Sequence, residues 1–250
     1  MNNIVTLTRR ELAGYFQHLT GYVIIASVML VIGLSFIAVI LAINGEAVDS
    51  PITESLYSTP FFWLIVLLAT PAITMRTYAH EQSTGTFETL VTAPVTSWEI
   101  VIAKFLGSWV FFVVVWIPFI GYMFALKPYF DDPSLLDIRI LCSSLLGVSL
   151  LGALYTAIGC LASSMTRSQM LAAMTSFALG MLLFLQSFIT FQLPEGSGYW
   201  SAIFAHTSMF LHLEDFVRGV VDSRHVLFYV SLTGFFLYLN WQAVESRRWL

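Results

Sequence analysis

Long apolar runs separated by short polar stretches dominate this chain. A helix needs about 20 apolar residues to cross the hydrocarbon core of a bilayer. Six runs meet or approach that length: 22–43, 60–78, 100–126, 140–165, 170–191 and 225–244. A membrane β-strand would need only about 10 residues, alternating in and out, and these runs are longer and apolar throughout. The pattern predicts an all-α membrane protein with six transmembrane helices in one domain over 1–250. Arg76 lies near the end of the second run and Lys104 near the start of the third. A mid-membrane charge costs roughly 2.5–3.5 kcal/mol on insertion scales. Both are therefore expected at one membrane face, snorkelling to water.

The polar stretches carry their own periodicity. In residues 1–20, Thr8 and Glu11 have capping-box spacing, which predicts a helix start at Thr8. Leu12, Tyr15, Phe16 and Leu19 then share one face, leaving Arg9, Arg10 and Gln17 on the polar side. That pattern predicts an amphipathic interfacial helix, read either as an anchor or as a lever that moves with the bundle.

Between the second and third runs, Gly85 is expected to end a helix, 86–92 to form about two helical turns, and Pro94 to stop them. Thr96 and Glu99 form a second capping box that opens the third run. Phe87 and Leu90 fall on the apolar side of the short helix, with Val91 adjacent. A soluble partner could receive that side in a groove, or the helix could rest on the bilayer. Arg76 is expected either to pair with Glu81 or to snorkel.

Within the runs, Ser149, Ala153 and Ala157 place small residues on one face, where another helix can approach. Pro71 and Pro118 predict kinks. Composition agrees with a membrane class: 58% of residues are hydrophobic and 10% charged, against about 25% charged in an average soluble domain. A net charge of −4 gives no sign of nucleic-acid binding. Counting Lys and Arg puts seven on the side of the two termini and the 2–3 and 4–5 loops: Arg9, Arg10, Arg76, Lys104, Arg167, Arg247 and Arg248. Four lie on the other side: Lys127, Arg139, Arg218 and Arg224. The excess predicts cytoplasmic termini. Ten of the fifteen acidic residues fall on the outer side, among them Glu46, Asp49, Asp131, Asp132 and Asp137. The first run is too long for the apolar core of a signal peptide and is read as a span.

Several chemistries are disfavoured. Cys142 and Cys160 lie 18 positions apart in one run, roughly 27 Å along a helix, too far for a disulfide. A P-loop requires Gly-Lys-Ser/Thr. Of the two lysines, Lys104 follows Ala and precedes Phe, and Lys127 follows Leu and precedes Pro. If ATP drives this protein, another polypeptide binds it. His206, His212, Glu214, Asp215 and His225 could supply metal ligands. His212 and Asp215, however, lie among Met209, Phe210, Leu213, Phe216 and Val217, which favours an amphipathic surface helix. His80-Glu81 lacks the second histidine of a zinc protease. The polar residues of the spans, such as Thr156, Ser176, Gln186 and Asn240, are uncharged, which argues against an ion-coupled carrier.

The order of Glu81, Gly85, Thr86, Glu88, Leu90, Pro94 and Val95, followed by Lys104, resembles the membrane subunit of ABC-2 type transporters. Arg10-Glu11-Leu12 with Tyr15-Phe16 ahead of the first run is also similar. The segment from Phe216 to Asp222, with Arg218 and Gly219, resembles the branch related to gliding-motility permeases and the copper-site maturation permease of nitrous oxide reductase. The resemblance implies a non-catalytic permease subunit, expected to be an exporter in a bacterial inner membrane. It implies a separate ATPase that binds ATP and magnesium, a second permease copy or homologue, and room for an extracytoplasmic auxiliary protein. It also implies that Glu81, Gly85, Thr86, Phe87, Glu88, Leu90 and Pro94 form the coupling element, and that short outer helices join spans five and six. No cofactor, metal or nucleic acid is expected on the chain itself. The alternative is a non-transporting membrane scaffold or mechanical module docked to an ATPase.

Overall fold

The computed structural model describes residues 2–43, 52–92, 94–126, 138–192 and 199–247, and their regular structure is helical throughout. Glu46, Asp49, Lys127, Asp131, Asp132, Asp137 and Arg248 of the charge count lie outside the described residues. In chain order the helices are α1 (Asn2–Gln17), α2 (Leu19–Ile43), α3 (Ile52–Tyr57), α4 (Pro60–Thr74), α5 (Ala79–Thr84), α6 (Thr86–Thr92) and α7 (Ser97–Val115). There follow α8 (Ile117–Leu126), α9 (Ile138–Met165), α10 (Gln169–Gln192), α11 (Tyr199–Thr207), α12 (Met209–Val217) and α13 (Ser223–Ser246).

Five stretches among the described residues are long and apolar enough to cross a membrane: Leu19–Leu41, Pro60–Thr84, Ser97–Phe124, Ile138–Met165 and Gln169–Ile189. The sixth expected span corresponds to α13, which has 24 residues. It is not among the five, because Asn240, Gln242, Ser231 and Thr233 dilute its apolar character. Its buried residues Tyr229, Thr233, Asn240 and Val244 line one face at helical spacing.

The centre of the bundle is α9, which packs against α4, α7, α10, α12 and α13. Its apolar window is 78% buried, against 28% for α2 and 22% for α10. The last two therefore stand at the perimeter and present Leu30, Leu41, Met174 and Leu182 outward. The core they surround is aromatic, with Phe112, Trp116, Phe62 and Trp63 in successive ring contacts. Glycine sets how closely α7 and α9 approach: a Cβ on Gly152 would lie 2.0 Å from the Phe112 ring. The expected small-residue stripe is only partly in the packing, since Ala157 is buried but Ser149 and Ala153 are half-covered.

One local expectation changes. α1 begins at Asn2, so Thr8 lies inside the helix and does not cap it. Its apolar face extends upstream through Leu7, which packs on the protein and holds the earlier turns. Pro118 interrupts the third run at a single residue, between α7 and α8, without ending the crossing stretch. Lacking an N–H, it cannot continue the ladder, and the chain turns at Trp116, whose N–H bonds the Val113 carbonyl at 3.0 Å. Pro71 stays within α4. Cys142 and Cys160 are both free thiols on α9.

The start of α7 and the end of α13 lie side by side, with Trp98 and Trp241 stacked at 5.0 Å and Ser97 bonded to Glu245. Asn3 of α1 joins them through Glu99. This is the basal end, and it holds both ends of the described chain. At the distal end, α12 meets α3 through Arg218 and Glu54.

Candidate coupling site

The chain leaves α4 through a turn over Met75–Tyr78 and enters two short helices at the basal end. Gly85 separates them with φ +76°, a left-handed conformation that favours glycine. α6 spans Thr86–Thr92, as the sequence predicts. Thr96 then caps α7 with both halves of the capping box: Glu99 N–H donates to Thr96 Oγ1, and Thr96 N–H donates to the Glu99 carboxylate at 2.8 Å.

Beneath this helix pair lies a closed ring of four charges. Lys104 Nζ donates to Glu11 Oε1 at 3.0 Å and to the Thr77 carbonyl at 2.6 Å, and it lies 2.9 Å from Glu81 Oε2. Arg10 completes the ring, reaching Glu11 at 3.0 Å and Glu81 at 3.1 Å. Each cation therefore touches both carboxylates, and the ring is neutral. Lys104 also sits 5.1 Å from the Tyr78 ring centroid, on the face favourable to a cation. Only 2% of its side chain is exposed. Lys104 thus does not snorkel; its charge is balanced inside the protein. Burial pushes the Glu11 carboxyl up, but Lys104 and Arg10 outweigh it and hold the group below its ordinary value.

The ring ties α1, α5 and α7 together, and further bonds tie α5 to the remaining basal helices. Ser163 of α9 accepts from the N–H groups of Tyr78 and Ala79, each at 3.1 Å. Gln82 donates to the Ser164 carbonyl and accepts from Arg247 at 2.8 Å. His80 faces Gln169 of α10 at 3.1 Å, and Asn240 of α13 donates to the Tyr78 hydroxyl. A displacement of α5 would therefore be felt by α1, α7, α9, α10 and α13.

Two expectations about this segment are corrected. Glu81 pairs with Lys104 and Arg10, not with Arg76, which instead donates to Thr20 Oγ1 at 2.9 Å. The side of α6 bearing Phe87 and Leu90 does not face a partner. Both are buried with Tyr78, Ile100, Val101 and Val244, so this chain itself fills the groove they need. Thr84, Gly85, Thr86, Glu88, Thr92 and Pro94 remain outward. Sequence reasoning missed Lys104, Glu11 and Arg10 as one unit. The available signal was a lysine within an apolar run, which needs a counter-charge.

The distal motif has a structural role. Gly219 takes φ +86°, its N–H bonds the Phe216 carbonyl, and the Val220 N–H bonds the Asp215 carbonyl at 2.9 Å. This bond pair closes α12 in a Schellman turn. Asp222 caps α13 by accepting from the Arg224 N–H. Arg218 reaches Glu54 at 2.9 Å and Glu214 at 2.7 Å. α12 has the expected amphipathic form, with Met209, His212, Leu213, Phe216 and Val217 buried. The His212 and His225 rings lie tilted against each other with centroids 4.0 Å apart, and His225 Nε2 lies 2.8 Å from Asp215. Burial, with His225 adjacent, pushes His212 down to about 4. Among the described residues no three side chains of ligand type are grouped to hold a metal ion.

A family model described as ABC-2 family transporter protein matches residues 46–240, more than half of the chain. No curated protein matches it.

Proposed function

The chain belongs to the ABC-2 family of transporter proteins, and from that membership we propose that α5 and α6 receive the stroke of a separate ATP-binding-cassette ATPase. The chain is a multi-pass membrane protein and a permease subunit of an ABC transporter. It supplies the membrane component and is not itself catalytic; ATP and magnesium belong to the partner.

The observation that carries the proposal is the division of α6 into two sides. Phe87 and Leu90 fasten it to the protein, while Glu88 and the threonines around Gly85 stay outward. A push on the outward side moves a helix that cannot slide over its own base. The motion passes through Gly85 to α5, and from Glu81 to Lys104 on α7 and Glu11 on α1. In this reading the basal end is cytoplasmic, as the Lys and Arg excess suggests. α13 makes a sixth crossing, since it joins the distal Asp222 to the basal Glu245. Movement is outward across a bacterial inner membrane, with a second permease against the apolar faces of α2 and α10. The segment from Arg218 to Asp222 supports the gliding-motility and copper-site branch, and with it an extracytoplasmic partner.

The test is reconstitution of the permease with its cognate ATPase. Glu88→Lys should leave the permease monodisperse but lower ATPase capture and stimulated ATP turnover about tenfold, the scale of one charge-assisted contact. Capture and turnover equal to wild type would sink the proposal. Vesicles holding the complex should move cargo only with ATP; turnover without movement would favour the scaffold reading.

A further inference from the structure

A pocket of about 140 Å³ lies between the α1–α2 elbow and the turn after α4. Arg76, Thr20, His18 and His80 supply its polar lining, and Ile24 and Ala72 its apolar part. Arg76 is half-buried there and donates to Thr20 Oγ1 at 2.9 Å. Among the described residues it forms no ion pair with a carboxylate. A guanidinium has five N–H donors in a planar fork, so most remain available to an anion. Glu11 and Glu81 also line the pocket, but Lys104 and Arg10 neutralise them. The uncompensated charge of the pocket is therefore the positive charge of Arg76.

The position of the pocket identifies the kind of anion. The bend at His18 ends α1, and the first apolar crossing stretch starts at Leu19. The pocket thus lies level with the end of a span, where lipid headgroups sit. Beside it, α2 exposes Leu19, Tyr22 and Val23, an apolar path along which acyl chains can run. A phosphate matches the guanidinium fork in two parallel bonds.

We propose that this pocket binds the phosphate of a membrane phospholipid headgroup, held by Arg76 with Thr20 fixing the guanidinium. The lipid bridges the α1–α2 elbow and the turn that leads into α5. The proposal rests on the membrane location alone, so it stands or falls apart from ATPase coupling.

The test uses the purified full chain in detergent, titrated separately with dihexanoyl-phosphatidylglycerol, dihexanoylglycerol and inorganic phosphate. Native mass spectrometry counts bound molecules and thermal unfolding follows Tm. One phosphatidylglycerol per chain is expected, with a raised Tm, and neither the phosphate-free lipid nor inorganic phosphate should match it. Arg76→Gln should weaken binding about tenfold or more, the loss of a charge-assisted bond pair, and Arg76→Lys should weaken it less. Thr20→Val, at an exposed position, gives a second handle if Arg76→Gln does not fold, and should weaken binding a few-fold. Equal binding by all these variants and wild type, or equal binding of dihexanoylglycerol, would overturn the proposal. Inorganic phosphate binding as tightly and displacing the lipid would assign the pocket to free phosphate and overturn the lipid assignment.

Discussion

Two cations stand at opposite ends of this bundle, and each holds two carboxylates. Lys104 at the basal end exposes 2% of its side chain, and Arg218 at the distal end 52%. Their contact distances are nearly the same, so distance does not separate them; burial does. In a sealed site, removing one partner leaves uncompensated charge in a medium that cannot solvate it. At an exposed site, water takes the place of the lost partner. Ion-pair geometry alone therefore says little about which contact organises the molecule. The connections add to the contrast: Lys104 joins α1, α5 and α7, while Arg218 joins the short helices α3 and α12.

Lys104→Met removes the sealed cation. It strands Glu11 and Glu81 with only the half-exposed Arg10 for compensation, and should cost about 3–5 kcal/mol, as breaking a buried pair does. A thermal melt reads the loss. Adding Glu11→Gln and Glu81→Gln to the same chain should recover most of it, because a neutral, packed replacement for buried ions is often as stable. A single variant that melts like wild type would show that the ring does not hold the basal end.

A second prediction concerns how α1 is seated. A Cβ on Gly107 would come 2.8 Å from the Cβ of Glu11, so Gly107→Leu must push α1 away from α7. Overpacking of this kind typically costs about 1–3 kcal/mol. Trypsin should then cut faster after Arg9 and Arg10, while cleavage at the distal Arg224 stays as in wild type. Unchanged cleavage at α1 would mean that some contact other than the ring and this close approach secures it.

Acid should separate the two ends in order. His212 is pushed from its ordinary 6.5 to about 4 in the folded protein. The stability this contributes is full above 6.5 and falls away as pH drops toward about 4, because the unfolded chain takes up the proton first. The groups around it are His225, His206 and Asp215. Glu11 is held below its ordinary 4.5, so its contribution is present above 4.5 and is lost only as pH falls through its lower folded value. Hydrogen exchange followed from pH 7 downward should show α12 loosening before α1. His212→Phe should remove the early phase, and the reverse order would contradict the assignment.

The sequence made local features legible where one residue type dictates the backbone. Gly85, Pro118 and the Thr96–Glu99 box each act within a few residues, and each appears where expected. It did less well with partners far apart in the chain. Glu11 and Lys104 are 93 positions apart, and nothing in either run names the other. Phe87 and Leu90 show the same limit. Their spacing marks an apolar side, but only the fold shows that this chain's own Tyr78, Ile100 and Val244 cover it. Thr8 shows the opposite limit: its capping-box spacing is real, but tertiary packing of Leu7 carries the helix past it.

Arg218→Ala should change the melt least. The side chain bridges Glu54 and Glu214 at short distances, yet water reaches it freely. Exposed pairs of this kind offset their attraction with side-chain ordering and are screened by salt. The melt should therefore stay within the scatter of wild type at physiological salt, and raising the salt should shift both proteins alike. Gly219→Val, one position on, should lower the melt clearly, because a β-branched residue is strained at φ +86°. That pairing would place the structural role of the distal motif in its backbone turn rather than its charge. A large loss from Arg218→Ala would instead mean that the cation is shielded by something absent from the isolated chain, and the contrast with Lys104 would have to be withdrawn.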